Sequence, residues 1–262
     1  MAEINVLLTR HLGTFLLAFF RLGGMLAWAP VLGHRSVPVP HRAGLAALLA
    51  LVLTPLLAGS SRGPDGALGW ALAVAGELFV GLAIGFVAHL VLAAAEVAGE
   101  LIGFQMGFGL AAVFDPSTGE QESVIARFQH ILALLLFLAV NGHHLLIRAV
   151  VLSFQRIDPG AVLEPAVTGG MVGLGGKVLQ SGVALAAPVV GILLVLNVAL
   201  ALLSRAAPQA NVFMVGLPLS AGLGVLGLLD ALPHFGQVVT GLIAQLPADL
   251  NVLFGGGLHG LR

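Results

Sequence analysis

Three titratable side chains in the first half of the chain fall on one helical face: His89, Glu96 and Glu100, spaced seven and four residues apart. Two glutamates one turn apart repel unless solvated or paired. A metal site is one chemistry such a face offers. However, His-x6-Glu-x3-Glu is not a known ligand spacing, and the next histidine is His130. The pattern reads better as a wet polar face leading into the segment that follows it.

Arg21 and Glu77 stand inside apolar runs. A charge in lipid is costly, so each must face protein or water, and the two are candidates to pair. An ion or proton relay is one reading, but it needs more than one acid at depth, and a structural tie between helices is favoured. His143-His144 resembles a catalytic pair. Adjacent helical residues point about 100 degrees apart, which suits joint chelation poorly, so a polar helix boundary after Asn141-Gly142 fits better. The segment TGGMVGLGGK, residues 168–177, imitates a phosphate loop and fails: Met171 stands at the first glycine position and Val178 at the Ser/Thr position. It reads as a flexible connector or a close helix contact. HExxH and zinc patterns are absent from the sequence. No catalytic, cofactor-binding or metal-ligating residue is assigned, so the chain is read as a non-enzyme without cofactor.

The elements that must position these groups are set by composition. The chain has 262 residues, 58% hydrophobic and 9% charged, where a soluble domain carries roughly 25% charge. It therefore reads as an all-α, polytopic membrane-complex protein. Its net charge of −1 argues against nucleic acid as a partner. It contains no cysteine, hence no disulfide and no thiolate metal site. Apolar runs cover Leu12–Trp28, Ala43–Leu57, Trp70–Ala95, Ile125–Val140, Val178–Leu203 and Val212–Leu229, with a shorter run at Leu145–Phe154. The start reads as a retained first helix rather than a signal peptide. The tail from His234 to Phe254 is amphipathic at best and contains Pro247. Short loops between the runs imply helical hairpins. The basic connector with Arg35 and Arg42 is expected on the cytoplasmic side, which places the N-terminus outside. Arg205 fits that orientation if all six runs cross.

The stretch from Gly99 to Glu122, GELIGFQMGFGLAAVFDPSTGEQE, cannot be an ordinary span. It carries Glu100, Gln105 and Asp115, and Pro116 breaks it. Gly99, Gly103 and Gly107 recur at intervals of four and fall on one helix face, so another backbone can come close. Gly109 adds freedom, and Asp115-Pro116-Ser117-Thr118-Gly119 is a turn signal. A short, closely packed helix running into a loop is expected. Irregular backbone at membrane depth belongs inside protein or against a water-filled cavity, so this segment should line or block a conduit. Phe104, Met106 and Phe108 flank the glycines. They suit a soft hydrophobic gasket, since methionine adapts its shape, and suit plain core packing equally.

The order of these pieces resembles the FliR family of flagellar type III export-gate membrane proteins. Arg21 with Ala29-Pro30, the run Gly99-Glu100-Leu101-Ile102-Gly103-Phe104-Gln105-Met106-Gly107 followed by Phe114-Asp115-Pro116, and Asn141-Gly142-His143 carry the likeness. So do Asn197-Val198-Ala199-Leu200, the run from Arg205 through Pro208 and Gln209 to Phe213, and Gly216-Leu217-Pro218. The pieces are collinear over most of the chain. Ser204 departs from the asparagine expected before Arg205. The central motif resembles the flagellar branch rather than the related injectisome family.

The resemblance implies a single export-gate domain over residues 1–262. Residues 1–98 would be N-terminal helices, 99–122 a central plug segment, 123–177 middle helices with the glycine-rich connector, and 178–262 a C-terminal hairpin and tail. It implies kinked hairpins resembling a fused FliP-like and FliQ-like subunit, stacked in a cone that stands partly on the periplasmic side of the inner membrane at the flagellar basal body. Implied partners are FliP-like and FliQ-like subunits, FlhB-like and FlhA-like export proteins, and unfolded exported chains. The implied plug or gating residues are Gly103, Gln105, Met106, Gly107, Phe108, Gly109, Leu110, Val113, Phe114, Asp115 and Pro116. Arg21, Glu77, Glu100, Asn197, Arg205, Pro208 and Gln209 would be structural polar positions. Two rivals remain: a small-solute transporter using Arg21, Glu77, His89 and Glu100, and an intramembrane transferase using His143 or His144.

Overall fold

A chain this apolar must satisfy its backbone polar groups internally, and helices do so within one segment. The computed structural model describes residues 2–34, 36–57, 66–108, 123–157, 166–207, 209 and 211–253. Among them run seven helices: α1 (Ala2–Trp28), α2 (Val39–Leu57), α3 (Gly66–Met106), α4 (Val124–Ala139), α5 (Gly142–Arg156), α6 (Ala166–Ala206) and α7 (Val212–Leu253). The all-α reading holds. Five helices are long and apolar enough to cross a membrane, and a sixth crossing is available if the interrupted pair α4 and α5 counts as one span.

Three segments differ from expectation. The Gly99 motif is not a separate short helix; it is the last part of the 41-residue α3. No helix-breaking residue separates Trp70–Ala95 from Met106, and Glu96 and Glu100 remain compatible with a helix. The glycine-rich segment after Thr168 is helical and opens α6 rather than forming a connector. Among the described residues, a side chain added at Gly173, Gly175 or Gly176 would meet nothing within 4 Å, so no neighbour there requires a glycine. The sixth run and the tail form one helix of 42 residues, with Pro218, Pro233 and Pro247 inside it. Prolines in apolar surroundings are tolerated where neighbouring groups and local adjustments re-satisfy the freed carbonyls.

The chain divides into two compact units. The first comprises Met1–Leu90, Asn141–Gly175 and Ile243–Arg262; the second comprises Val91–Val140 and Gly176–Leu242. In the first, α1 lies against the early part of α3 at backbone distance. A Cβ at Gly81 would overlap the carbonyl of Arg21, one at Gly24 would overlap that of Leu78, and one at Gly85 would lie 2.6 Å from that of Met25. Such small-residue contacts are how apolar helices gain packing where lipid removes the hydrophobic drive. Leu22, Met25 and Leu26 of α1 and Ile84 of α3 are fully buried. The connector after Trp28 is held by Arg42, whose guanidinium donates to the carbonyls of Val37 (2.9 and 3.1 Å) and Gly33 (3.4 Å).

In the second unit, α6 and α7 form an antiparallel hairpin. Gly216 faces Leu200, and Gly227 faces Val189 and Ile192. Asn211 starts α7 as an N-cap, its Oδ1 accepting from the Met214 N–H at 3.4 Å. Gly182 of α6 sits on Val97 and Ala94 of α3.

Candidate functional site

The late part of α3 closes with a Schellman arrangement. Gly107 has φ of 90°, its N–H donates to Phe104 O at 3.1 Å, and the Phe108 N–H reaches Gly103 O at 3.0 Å. Glycine is required here because a Cβ is disfavoured at positive φ. The chain returns at Ser123, the N-cap of α4, whose hydroxyl accepts from Ile125 N–H at 3.3 Å. The two ends are joined directly. Glu100 Oε1 accepts the Ser123 N–H at 2.9 Å. A Cβ at Gly103 would overlap the Ser123 hydroxyl, and one at Gly99 would overlap Ala126 Cα. Two turns back, His130 Nδ1 of α4 lies 2.5 Å from Glu96 Oε1. We call this junction the neck.

The expected plug residues divide across this junction. Gly109, Leu110, Val113, Phe114, Asp115 and Pro116 lie outside the described residues, as does Pro208. Gly103 and Met106 are buried, Gln105 and Gly107 are partly exposed, and Phe104 and Phe108 are exposed. Met106 is seated against Gly224 of α7, where a Cβ would lie 2.7 Å from its sulfur. Its role within the chain is core packing, whereas the two phenylalanines do not share that core. Gln105 Oε1 accepts from Asn197 Nδ2 of α6 at 3.5 Å. Asn197, Arg205 and Gln209 are exposed.

Arg21 and Glu77 pair, as the tie between helices requires. The Arg21 guanidinium donates through Nε and Nη2 to both Glu77 carboxylate oxygens, the second at 3.0 Å. It also donates to Ser153 Oγ at 3.0 Å and to Ile157 O at 3.1 Å, and lies 3.8 Å over the Phe154 ring. Arg21, Glu77 and Ser153 are buried. This engagement removes two of the four groups a small-solute relay was to use.

The polar face of α3 does not converge on one ligand: Glu96 meets His130, Glu100 meets Ser123, and His89 lies against Trp28, with ring centroids 6.1 Å apart. The His143 and His144 rings are closer than helical geometry suggested, at 4.3 Å between centroids. They follow Asn141, whose left-handed conformation (φ 58°) starts α5. Side-chain torsions bring the rings together despite diverging Cβ directions.

Sequence reasoning missed Ser153, Phe154, Ala126 and Gly224. Ser123 had a legible signal, a serine directly before an apolar run. The others carry no local mark of their partners.

A family model described as bacterial export proteins, family 1, matches residues 12–246. The chain belongs to the FliR family. It is 36% identical over 221 residues to the flagellar biosynthetic protein FliR of Bacillus subtilis (strain 168), covering 82% of this chain and 84% of that protein. It is 34% identical over 242 residues to FliR of Pectobacterium carotovorum subsp. carotovorum, covering 90% and 92%. Against FliR of Escherichia coli (strain K12) it is 33% identical over 243 residues, covering 89% and 92%. Membership and the apolar helices make this chain a membrane protein of bacterial protein export and flagellum biogenesis.

Proposed function

We propose that this FliR-family chain is a non-enzymatic subunit of the flagellar protein export gate. It joins FliP-like and FliQ-like subunits around a channel for unfolded flagellar proteins, with FlhB-like and FlhA-like proteins associated. The segment from Gly107 to Glu122 closes that channel. The neck supports this reading most directly. Residues 109–122 leave a capped helix end and return to a capped helix start, and those two ends are hydrogen-bonded and packed on each other. Phe108, Leu110, Val113 and Phe114 supply apolar, sequence-indifferent contacts that exclude water, as a hydrophobic constriction does. Met106, packed on Gly224, anchors the root rather than sealing.

The chain resides in the inner membrane at the flagellar basal body. The 41-residue α3 and α6 are each about 60 Å long if straight, twice a hydrocarbon core of about 30 Å. Such lengths favour an assembly standing partly outside the bilayer, and in this reading that part lies on the periplasmic side.

The test is ion conductance of the complex co-expressed with its FliP-like and FliQ-like subunits and reconstituted in planar bilayers. Deleting Phe108–Ser117 should leave assembly intact and raise conductance. Unchanged conductance from an assembled complex rejects a plug in this segment.

A further inference from the structure

We propose that the outer face of α4 is a seam for one helix of a partner subunit, apolar at coiled-coil spacing and carrying an acidic side chain opposite Arg127. This rests on the reading of the chain as a subunit of a membrane complex and is independent of any plug. The two faces of α4 are sharply sorted. Ile125, Ala126, Gln129, Ala133 and Phe137 are buried, with Ala126 set against Gly99 of α3. On the other side Val124, Phe128, Ile131, Leu135 and Leu138 are all exposed, Leu138 least at 37% and Val124 most at 70%. Their spacings alternate between four and three residues. That alternation is the a/d pattern of a coiled-coil seam, whose 3.5-residue period keeps one stripe turned to one partner helix. Between Val124 and Leu138, Arg127 is the only other exposed residue. A lipid chain conforms to any apolar surface and selects no period, whereas a facing helix selects this one.

Arg127 states what the partner must carry. It borders the seam beside Phe128, at the position where coiled coils hold the charges that choose a partner. The residues one turn away on the same helix are Ser123, Val124, His130 and Ile131, none of them acidic. Among the described residues Arg127 forms no ion pair. The first turn of α4 holds no acidic residue, and a cation near the positive pole of a helix is disfavoured. Beside an apolar stripe in a membrane complex, such a charge is costly until it is paired. Its complement is a carboxylate on the partner helix, at the level of Arg127.

The experiment uses the complex co-expressed with its FliP-like and FliQ-like subunits. A benzophenone side chain is placed singly at Phe128, Ile131 and Leu135 on the seam and at Leu132 and Leu136 on its flanks. After illumination the adducts are mapped by mass spectrometry. The expected result is that the three seam positions join one apolar helix of one partner subunit, that this helix carries an aspartate or glutamate at the level of Arg127, and that the flanks join it far less. Arg127→Glu should lower the amount of partner co-purifying by roughly tenfold or more, as a like charge faces the carboxylate, while Arg127→Lys stays near wild type. If Arg127→Glu lowers the yield of the chain itself, Arg127→Gln is read in its place, with a smaller loss expected. Seam adducts to lipid or only to this chain overturn the proposal, as do equal adducts at seam and flanks, or unchanged co-purification of the charge variant. If the wild-type chain purifies without partners, the complex-subunit reading fails and the seam with it. An intact complex whose seam labels lipid keeps that reading and rejects the seam alone.

Discussion

The two units hold their helices together by opposite means. In the first, Arg21 and Glu77 are sealed, with side chains 0% and 2% exposed, and donors of the guanidinium reach Glu77, Ser153 and Ile157. In the second, the Glu96–His130 pair is 35% and 22% exposed, and Glu100 caps Ser123 at the surface. A buried, hydrogen-bonded pair resists the removal of either partner, because the survivor is left desolvated. A half-wet pair is replaced by water at little cost. One unit is therefore built as a fixed frame and the other as a junction that yields, in keeping with the proposed gate.

This contrast breaks most sharply at Arg21. Arg21→Met leaves Glu77 buried without its partner and should cost about 3–5 kcal/mol, read as loss of folded complex on native gels. Adding Glu77→Leu should recover most of that loss, since an apolar pair of similar volume replaces a buried ion pair well. Failure of the double variant to recover would mean that Ser153 and Ile157, not the charge pair, dominate the clasp. Gly81→Ala comes next, because its Cβ strikes the Arg21 backbone, which cannot rotate away. A cost of about 1–3 kcal/mol is expected, checked by thermal unfolding in detergent.

Gly103→Leu tests the neck in the same way. The nearest obstacle there is the Ser123 side chain, which has rotamer freedom, but leucine is too large for the space. Lower complex yield is expected, and normal yield would reject the close-contact argument. The smallest effect belongs to His130→Gln, about 0–1 kcal/mol for a partly exposed pair. Added salt should erase it. A large, salt-insensitive loss would show that the second unit is as rigidly tied as the first and would remove the contrast.

Much of the fold was legible in the sequence. Each apolar run lies in a helix, because hydrophobic length alone forces backbone pairing within the segment. Where helices merged, at Ala95–Met106 and at Leu229–Leu253, the cause was polar or proline residues read as breaks that an apolar environment tolerates. Asn141 did mark an interruption, since its left-handed backbone cannot continue α4. At the candidate site, Gly99, Gly103 and Glu100 stood out by type and spacing, and the family likeness rested on the same residues.

Composition and hydropathy by themselves determined that this is a helical membrane protein, and the collinear motifs determined its family. Those are properties of local sequence: the cost of unpaired peptide groups in lipid does not depend on what lies opposite. Which residue meets which was decided only by the tertiary structure. Arg21 and Glu77 are separated by 56 positions, and Glu100 and Ser123 by 23. Glycine spacing announces that a backbone comes close, but not whose. What Met106 packs against within the chain is set by Gly224, 118 positions further along. A missing Cβ leaves space in the residue that lacks it, and only the packed fold determines what fills that space.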